Sequence, residues 1–118
     1  MHGTKILAIE YYLPNKKENN KDLKKFNPKL DINRIKEKTG INNRFISGEK
    51  ESIIDISIKC SNKIFKKISK KKVDFLILVT QTSPYRIPTT ACILQDKLGL
   101  KKELIAFDIN LGCSGFIY

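Results

Sequence analysis

The sequence predicts a layered α/β fold built on a parallel sheet. Three observations carry that prediction. Phe75-Leu76-Ile77-Leu78-Val79 is apolar without alternation, as expected of a strand buried on both faces of a parallel sheet. A stretch of helical periodicity opening at Ser52 comes before it. A helix from Pro88 to Leu98 and a strand from Leu104 to Leu111 come after it, completing a right-handed βαβ unit.

Each element has its own signal. Lys5 to Leu13 is apolar and β-prone and is stopped by Pro14-Asn15, so it is expected to be a first strand. Asn15 to Leu30 is polar and lysine-rich, with Leu23 and Phe26 suggesting a short helix that ends before Pro28. Asp31 to Lys38 carries Ile32 and Ile35 at helical spacing and stops at Thr39-Gly40, where glycine can take the left-handed cap. From Ser52 onward, Ile54, Ile58, Phe65 and Ile68 share one helical face, and Asp55 suits a capping box. Ile53, Cys60 and Ile64 lie beside that face, which makes Cys60 a core residue, and lysines fill the other. Lys70-Lys71-Lys72 places cations at the helix's C-terminal end, where the dipole favours them. Pro88-Thr89-Thr90 opens the next helix and Gly99 closes it. The predicted order is β, α, α, α, β, α, β.

The 118 residues fit one domain, and 41% apolar with 30% charged residues describe a globular, soluble chain. The longest uninterrupted aliphatic or aromatic run, Phe75 to Val79, is far below the ~20 residues that cross a bilayer. No secretory signal pattern is visible. Cys60, Cys92 and Cys113 are odd in number, widely spaced and contain no Cys-x-x-Cys pair, which argues against a disulfide scaffold and a zinc site. A reducing, cytoplasmic setting is the expectation, with no metal and no cofactor.

The net charge is +11, all of it carried by residues 1–72. Of the 23 bases only Arg34, Arg44 and Arg86 are arginine, the residue that reads guanine edges and clamps phosphate. The abundance of Lys, Ile and Asn has the signature of AT-rich coding. Two explanations stand side by side: codon bias, or a basic surface for an acidic protein, a phosphate-bearing cofactor or RNA.

The last strand runs into Gly112-Cys113-Ser114-Gly115, a thiol among small residues where a strand gives way to a helix. Small neighbours allow a tight turn and close substrate approach. Free amides at a helix start stabilise a thiolate and can donate to an oxyanion. Ligands of open parallel sheets also bind outside the C-terminal strand ends. The residues alone leave two readings of Cys113, a nucleophile or a buried thiol in a packing turn.

Asp74 to Thr80, Ile87-Pro88-Thr89-Thr90-Ala91-Cys92, Leu98-Gly99 and Ala106-Phe107-Asp108 through Gly115-Phe116-Ile117-Tyr118 together resemble β-ketoacyl-acyl-carrier-protein synthase III of the thiolase superfamily. Lys38-Thr39-Gly40-Ile41 with Arg44 resembles the family's early Thr-Gly-Ile motif. The resemblance covers essentially the whole chain and about the first third of a family member. It implies an incomplete N-terminal half of a thiolase-like α/β/α fold. It implies a chemistry too: an acyl group passes from coenzyme A to Cys113, and a malonyl unit on acyl carrier protein decarboxylates and attacks the thioester.

The resemblance assigns further residues. Arg34 and Lys38 stand where bacterial members place a Trp and an Arg against the adenine and phosphate of coenzyme A, so this chain departs from the pattern there. Ile87 stands where the family projects an apolar residue across a homodimer interface toward the partner's acyl pocket. The loop Ser83-Pro84-Tyr85-Arg86 is about one residue shorter than in the family. Cys92 is expected to be structural. The family's His and Asn, which promote decarboxylation, come from the second half of its members, and the only histidine here, His2, is read as incidental. The resemblance therefore predicts a chain truncated just after its nucleophile, inactive alone and not stably folded alone. The contrasting reading is a non-catalytic remnant or a small basic module that binds nucleic acid.

Overall fold

The computed structural model describes residues 3–118, so His2 lies outside the described residues. The chain forms two compact units, one comprising Leu13–Glu51 and the other the chain start to Tyr12 together with Ser52–Tyr118.

In the Leu13–Glu51 unit, strand β1 (Lys16–Asn19) pairs antiparallel with β2 (Asn43–Ile46), in the register Lys16↔Ile46 to Asn19↔Asn43. Neither strand was expected, because four-residue polar segments carry no period-two signal. A 3₁₀ turn, Asn20–Lys25, follows β1, with Asn19 and Asp22 forming a capping box. It occupies the place of the short helix expected before Pro28. Helix α1 (Ile32–Thr39) is capped by the Asp31 side chain and closes at Gly40, whose φ of 69° favours glycine.

Asn20 is the polar centre of this unit and is 5% exposed. Its amide N–H donates to Asn42 O (3.1 Å), its Nδ2 donates to Ile41 O (2.6 Å), and its Oδ1 accepts from Arg44 Nη2 (2.8 Å). Thr39 Oγ1 donates to Ile35 O (2.7 Å) and accepts from Ile41 N (3.1 Å). The Thr39-Gly40-Ile41 segment is thus the turn that brings α1 back to β2.

In the second unit, α2 (Ile53–Ile64) starts at a capping box between Ser52 and Asp55, as expected. It ends before Phe65 and Ile68, and Lys70–Lys72 form a separate 3₁₀ turn rather than its last turn. The Phe65 and Ile68 N–H groups bond back to Ser61 O and Ile64 O, and the Lys67 N–H to Ile64 O, so the chain coils into turns and the expected helix is cut short. Strand β3 (Phe75–Val79), helix α3 (Thr90–Lys97) and strand β4 (Ile105–Ile109) follow, and β3 pairs parallel with β4. The expected βαβ order holds, and Gly99 takes φ 61° after α3.

Ile54, Leu94, Leu98, Leu100 and Leu104 are buried together, with Ile58, Phe65, Val73, Leu76 and Ala106 packed against them. The strands are covered on this one face only. Phe75, Ile77, Val79, Ile105 and Phe107 on the other face are exposed, which corrects the expectation of strands buried on both faces. The unbroken apolar run reports a sheet with two apolar faces, and α2 and α3, the helices described in this unit, cover one.

The expected first strand is also corrected. Residues 5–13 form no ladder among the described residues, since no backbone partner lies alongside. The segment is held by side chains instead. Cys60 Sγ donates to Glu10 O (3.3 Å), Lys63 Nζ to Tyr11 O (2.9 Å) and Lys59 Nζ to the Tyr12 hydroxyl (3.0 Å). Lys67 pairs with the Glu10 carboxylate at 2.5 Å. Lys59 and Lys63 also lie over the Tyr12 and Tyr11 rings. Cys60 is half-buried under this segment rather than enclosed in the core.

Replacing Asn20, itself buried, with Ala removes the partner of Ile41 O and of half-buried Arg44, whose Nη1 is already without a partner among the described residues. Urea unfolding should show a loss of about 2 kcal/mol. The Lys67 ammonium holds the Glu10 carboxyl below its ordinary pKa. With the folded pKa below the unfolded one, the contact's stability is present above the ordinary carboxylate range and is lost as pH falls through the lowered value. Tyr11 and Tyr12 fluorescence should report that release in acid, and Glu10→Gln should remove the transition.

Candidate active site

The parallel register sets the location of the site. Val79 pairs with Ile109, so the loop after β3 and the turn after β4 leave from the same, C-terminal end of the pair. Ile87 lies on the first connection and Cys113 on the second. Ile87 is 93% exposed, and Cys113 is exposed.

After β4 the chain forms one 3₁₀ turn, Cys113–Phe116, where the sequence predicts the start of a helix. Gly115 N donates to Gly112 O (2.9 Å) and Ile117 N to Ser114 O (3.0 Å). Gly115 is buried, and a Cβ there would come 2.5 Å from Val79 Cγ1 and 3.2 Å from Leu111 Cβ. The absence of a side chain therefore lets the turn that carries Cys113 settle on the end of β3. At Gly112 a Cβ would meet the Gln81 side-chain amide at 3.5 Å, an ordinary contact, so Gln81 lies against the residue preceding the thiol.

Arg34 and Lys38 belong to the Leu13–Glu51 unit, one turn apart on α1. Both are exposed, and they line an open concavity of about 470 Å³ with Lys29, Leu30, Asp31, Ile35 and Thr39. The structure thus brings together the two cations that the resemblance pairs. Cys92 is exposed and accepts a hydrogen bond from Thr89 Oγ1 (3.3 Å). No group of His, Cys, Asp and Glu among the described residues could hold a metal ion, and no described helix is long and apolar enough to cross a membrane.

Two features went unread in the sequence. The lysines of α2 read as a solvated face, yet Lys59 and Lys63 are turned onto residues 11 and 12. Asp108 read as one letter of a motif, yet its carboxylate accepts from the Thr90 and Ala91 amides, at 2.9 and 2.7 Å, where Thr89 provides no side-chain cap to α3. A carboxylate inside an apolar strand was the available signal, because such a group needs donors.

A parallel βαβ unit with a cysteine turn at its C-terminal end defines a class: this is an incomplete, N-terminal part of a thiolase-like α/β fold. No family model matches the chain. The chain is similar along its whole length to β-ketoacyl-[acyl-carrier-protein] synthases III, and fits an N-terminal portion of them. The protein of that name from Clostridium perfringens is 38% identical over 120 residues, which take in all of this chain and 36% of that protein. The one from Acholeplasma laidlawii is 40% identical over 119 residues, covering 97% of this chain and 37% of the relative. The crystal structure of 3-oxoacyl-[acyl-carrier-protein] synthase III from Aquifex aeolicus superposes with a TM-score of 0.86 at 38% identity, over 98% of this chain and 37% of that one. The chain spans a little over a third of the length of the relatives it matches.

Gly115→Ala should displace the thiol-bearing turn, because Val79 and Leu111 leave no room for the methyl group. The expected results are a stability loss of about 2 kcal/mol in thermal unfolding and a changed alkylation rate at Cys113. Unchanged values for both would show that the turn does not depend on this close approach.

Proposed function

We propose that this chain is the N-terminal part of a β-ketoacyl-acyl-carrier-protein synthase III-type condensing enzyme of fatty acid biosynthesis, with Cys113 as its nucleophile. One observation carries the reading: an exposed cysteine on a glycine-dependent turn at the C-terminal end of a parallel strand pair, in a chain similar throughout to those synthases.

The chemistry follows from the thiol. The Cys113 thiolate attacks the carbonyl carbon of an acyl-coenzyme A, and the coenzyme A thiolate leaves as the enzyme thioester forms. The thioester keeps the carbonyl electrophilic. A malonyl group on acyl carrier protein then loses carbon dioxide, and the resulting carbanion attacks that carbonyl and expels the Cys113 thiolate. The product is a β-ketoacyl-acyl carrier protein. The amide of Cys113, in the first turn, is a candidate donor to the oxyanion.

Arg34 and Lys38, facing one concavity, would receive the adenine and phosphate of coenzyme A, arginine by stacking and lysine by charge. Ile87, almost fully exposed on its loop, would reach the acyl pocket across a homodimer interface. The basic surface suits an acidic carrier protein in the cytoplasm. No cofactor is required beyond the two thioester substrates. The His and Asn that would promote decarboxylation are not among the residues after Cys113, so these 118 residues alone are expected to be inactive in condensation. The nucleic-acid reading is less well supported, because the similarity along the whole chain is to these synthases and only three of the 23 bases are arginine.

Incubating the protein with acetyl-coenzyme A and mapping adducts by mass spectrometry tests the reading. The expected result is one acetyl group on Cys113 and none on Cys60 or Cys92, with loss of the adduct in Cys113→Ala. No adduct on Cys113 at saturating donor would rule the reading out.

A further inference from the structure

Asp108 sits in β4, on the strand that leads to Cys113, and its carboxylate reaches sideways to the neighbouring connection. Oδ1 accepts from the Ala91 amide (2.7 Å) and Oδ2 from the Thr90 amide (2.9 Å). Ser83 Oγ lies 3.1 Å from Oδ2 and 2.9 Å from Tyr85 O. Its single proton serves one of these acceptors at a time, while the Thr90 hydroxyl, in contact with Ser83 Oγ, can donate to it. Thr90 is fully buried. One carboxylate therefore holds the connection between β3 and α3 at both ends, at Ser83 before Ile87 and at Thr90 after it.

The chemistry of the contact is selective for an anion. The first amides of a helix have no intrahelical acceptor and carry its positive end, so a carboxylate accepting from two of them is favoured twice over. Between these anchors Ile87 contacts almost nothing, being 93% exposed, so its position depends on the loop ends rather than on its own packing. The same strand places Cys113 only a few residues later.

From this arrangement we infer that Asp108 is a positioning residue for acyl-chain selection: by anchoring Ser83 and Thr90 it sets where Ile87 stands relative to the strand that leads to Cys113. The inference rests on the proposed function and deepens it. Ile87 would be the group that meets the acyl chain, and Asp108 would act only through it. An asparagine keeps one acceptor but turns an N–H₂ toward an amide donor, so Asp108→Asn should release the loop while changing side-chain volume little.

The test compares Cys113 acylation rates with acetyl- and octanoyl-coenzyme A in the intact enzyme for wild type, Asp108→Asn, Ile87→Ala and the double variant. Iodoacetamide alkylation of Cys113 serves as a control independent of acyl recognition. Asp108→Asn should change the octanoyl-to-acetyl rate ratio by about 10-fold while alkylation changes by less than about 2-fold. Ile87→Ala should change the ratio as well, and the double variant should match Ile87→Ala, because the loop then has no side chain to place. Equal slowing of both donors, or effects on the ratio that multiply in the double variant, would overturn the inference by assigning Asp108 a purely structural role. If Asp108→Asn does not fold, Ser83→Ala, which removes one anchor and leaves both amide contacts, should move the ratio in the same direction by about 3-fold, and an unchanged ratio would overturn the inference. A wild-type enzyme that acylates Cys113 with neither donor would overturn the proposed function itself, and this inference with it.

Discussion

Parallel pairing of β3 with β4 is the constraint on which the candidate site depends. Parallel neighbours cannot be joined by a hairpin, so the chain must return through a crossover, here the loop 80–89 and α3. That return gives the pair a covered face, where Leu76 and Ala106 meet Leu94 and Leu98, and a common C-terminal end. The two candidate site residues of this unit, Ile87 and Cys113, leave from that end. An antiparallel pairing of the same two strands would send the Ile87 loop and the Cys113 turn to opposite ends of the sheet.

Polar side chains, rather than apolar ones, fasten the irregular segments to this frame. Asp108 ties the crossover to β4, and Lys63 on α2 and Lys67 in the turn after it hold Tyr11 O and the Glu10 carboxylate. In the Leu13–Glu51 unit Asn20 has the same role, serving the backbone at Ile41 and Asn42 and the Arg44 guanidinium at once. Segments without a regular ladder must satisfy their backbone groups in this way. The high lysine content thus has a structural use at several positions, whatever produced it.

The bare apolar face of the β3–β4 pair and the exposed Ile6, Leu7 and Ile9 belong to the same account. Exposed apolar surface of this kind is characteristic of elements that pack against a partner surface. Its presence agrees with a chain that matches little more than a third of the length of its relatives.

Much of this molecule was legible in its sequence. Local signals determined the helix starts at Asp31 and Ser52, the glycine caps at 40 and 99, the two long apolar strands and the cysteine turn, because capping, left-handed glycine and apolar runs act within a few residues. Arg34 and Lys38 were singled out by the family resemblance, and their spacing of four on α1 is what puts them on one helical face. What depends on distant partners was decided by tertiary structure. Lys5 to Leu13 has the composition of a strand but no neighbour to pair with, while Lys16–Asn19 has little of that composition and is a strand because Asn43–Ile46 lies beside it. The Asp108 contacts and the close approach at Gly115 likewise join residues 17 to 36 positions apart in sequence. A hydrogen-bond ladder, a carboxylate bonded to distant amides and a missing Cβ are each properties of two segments, and a local pattern describes only one.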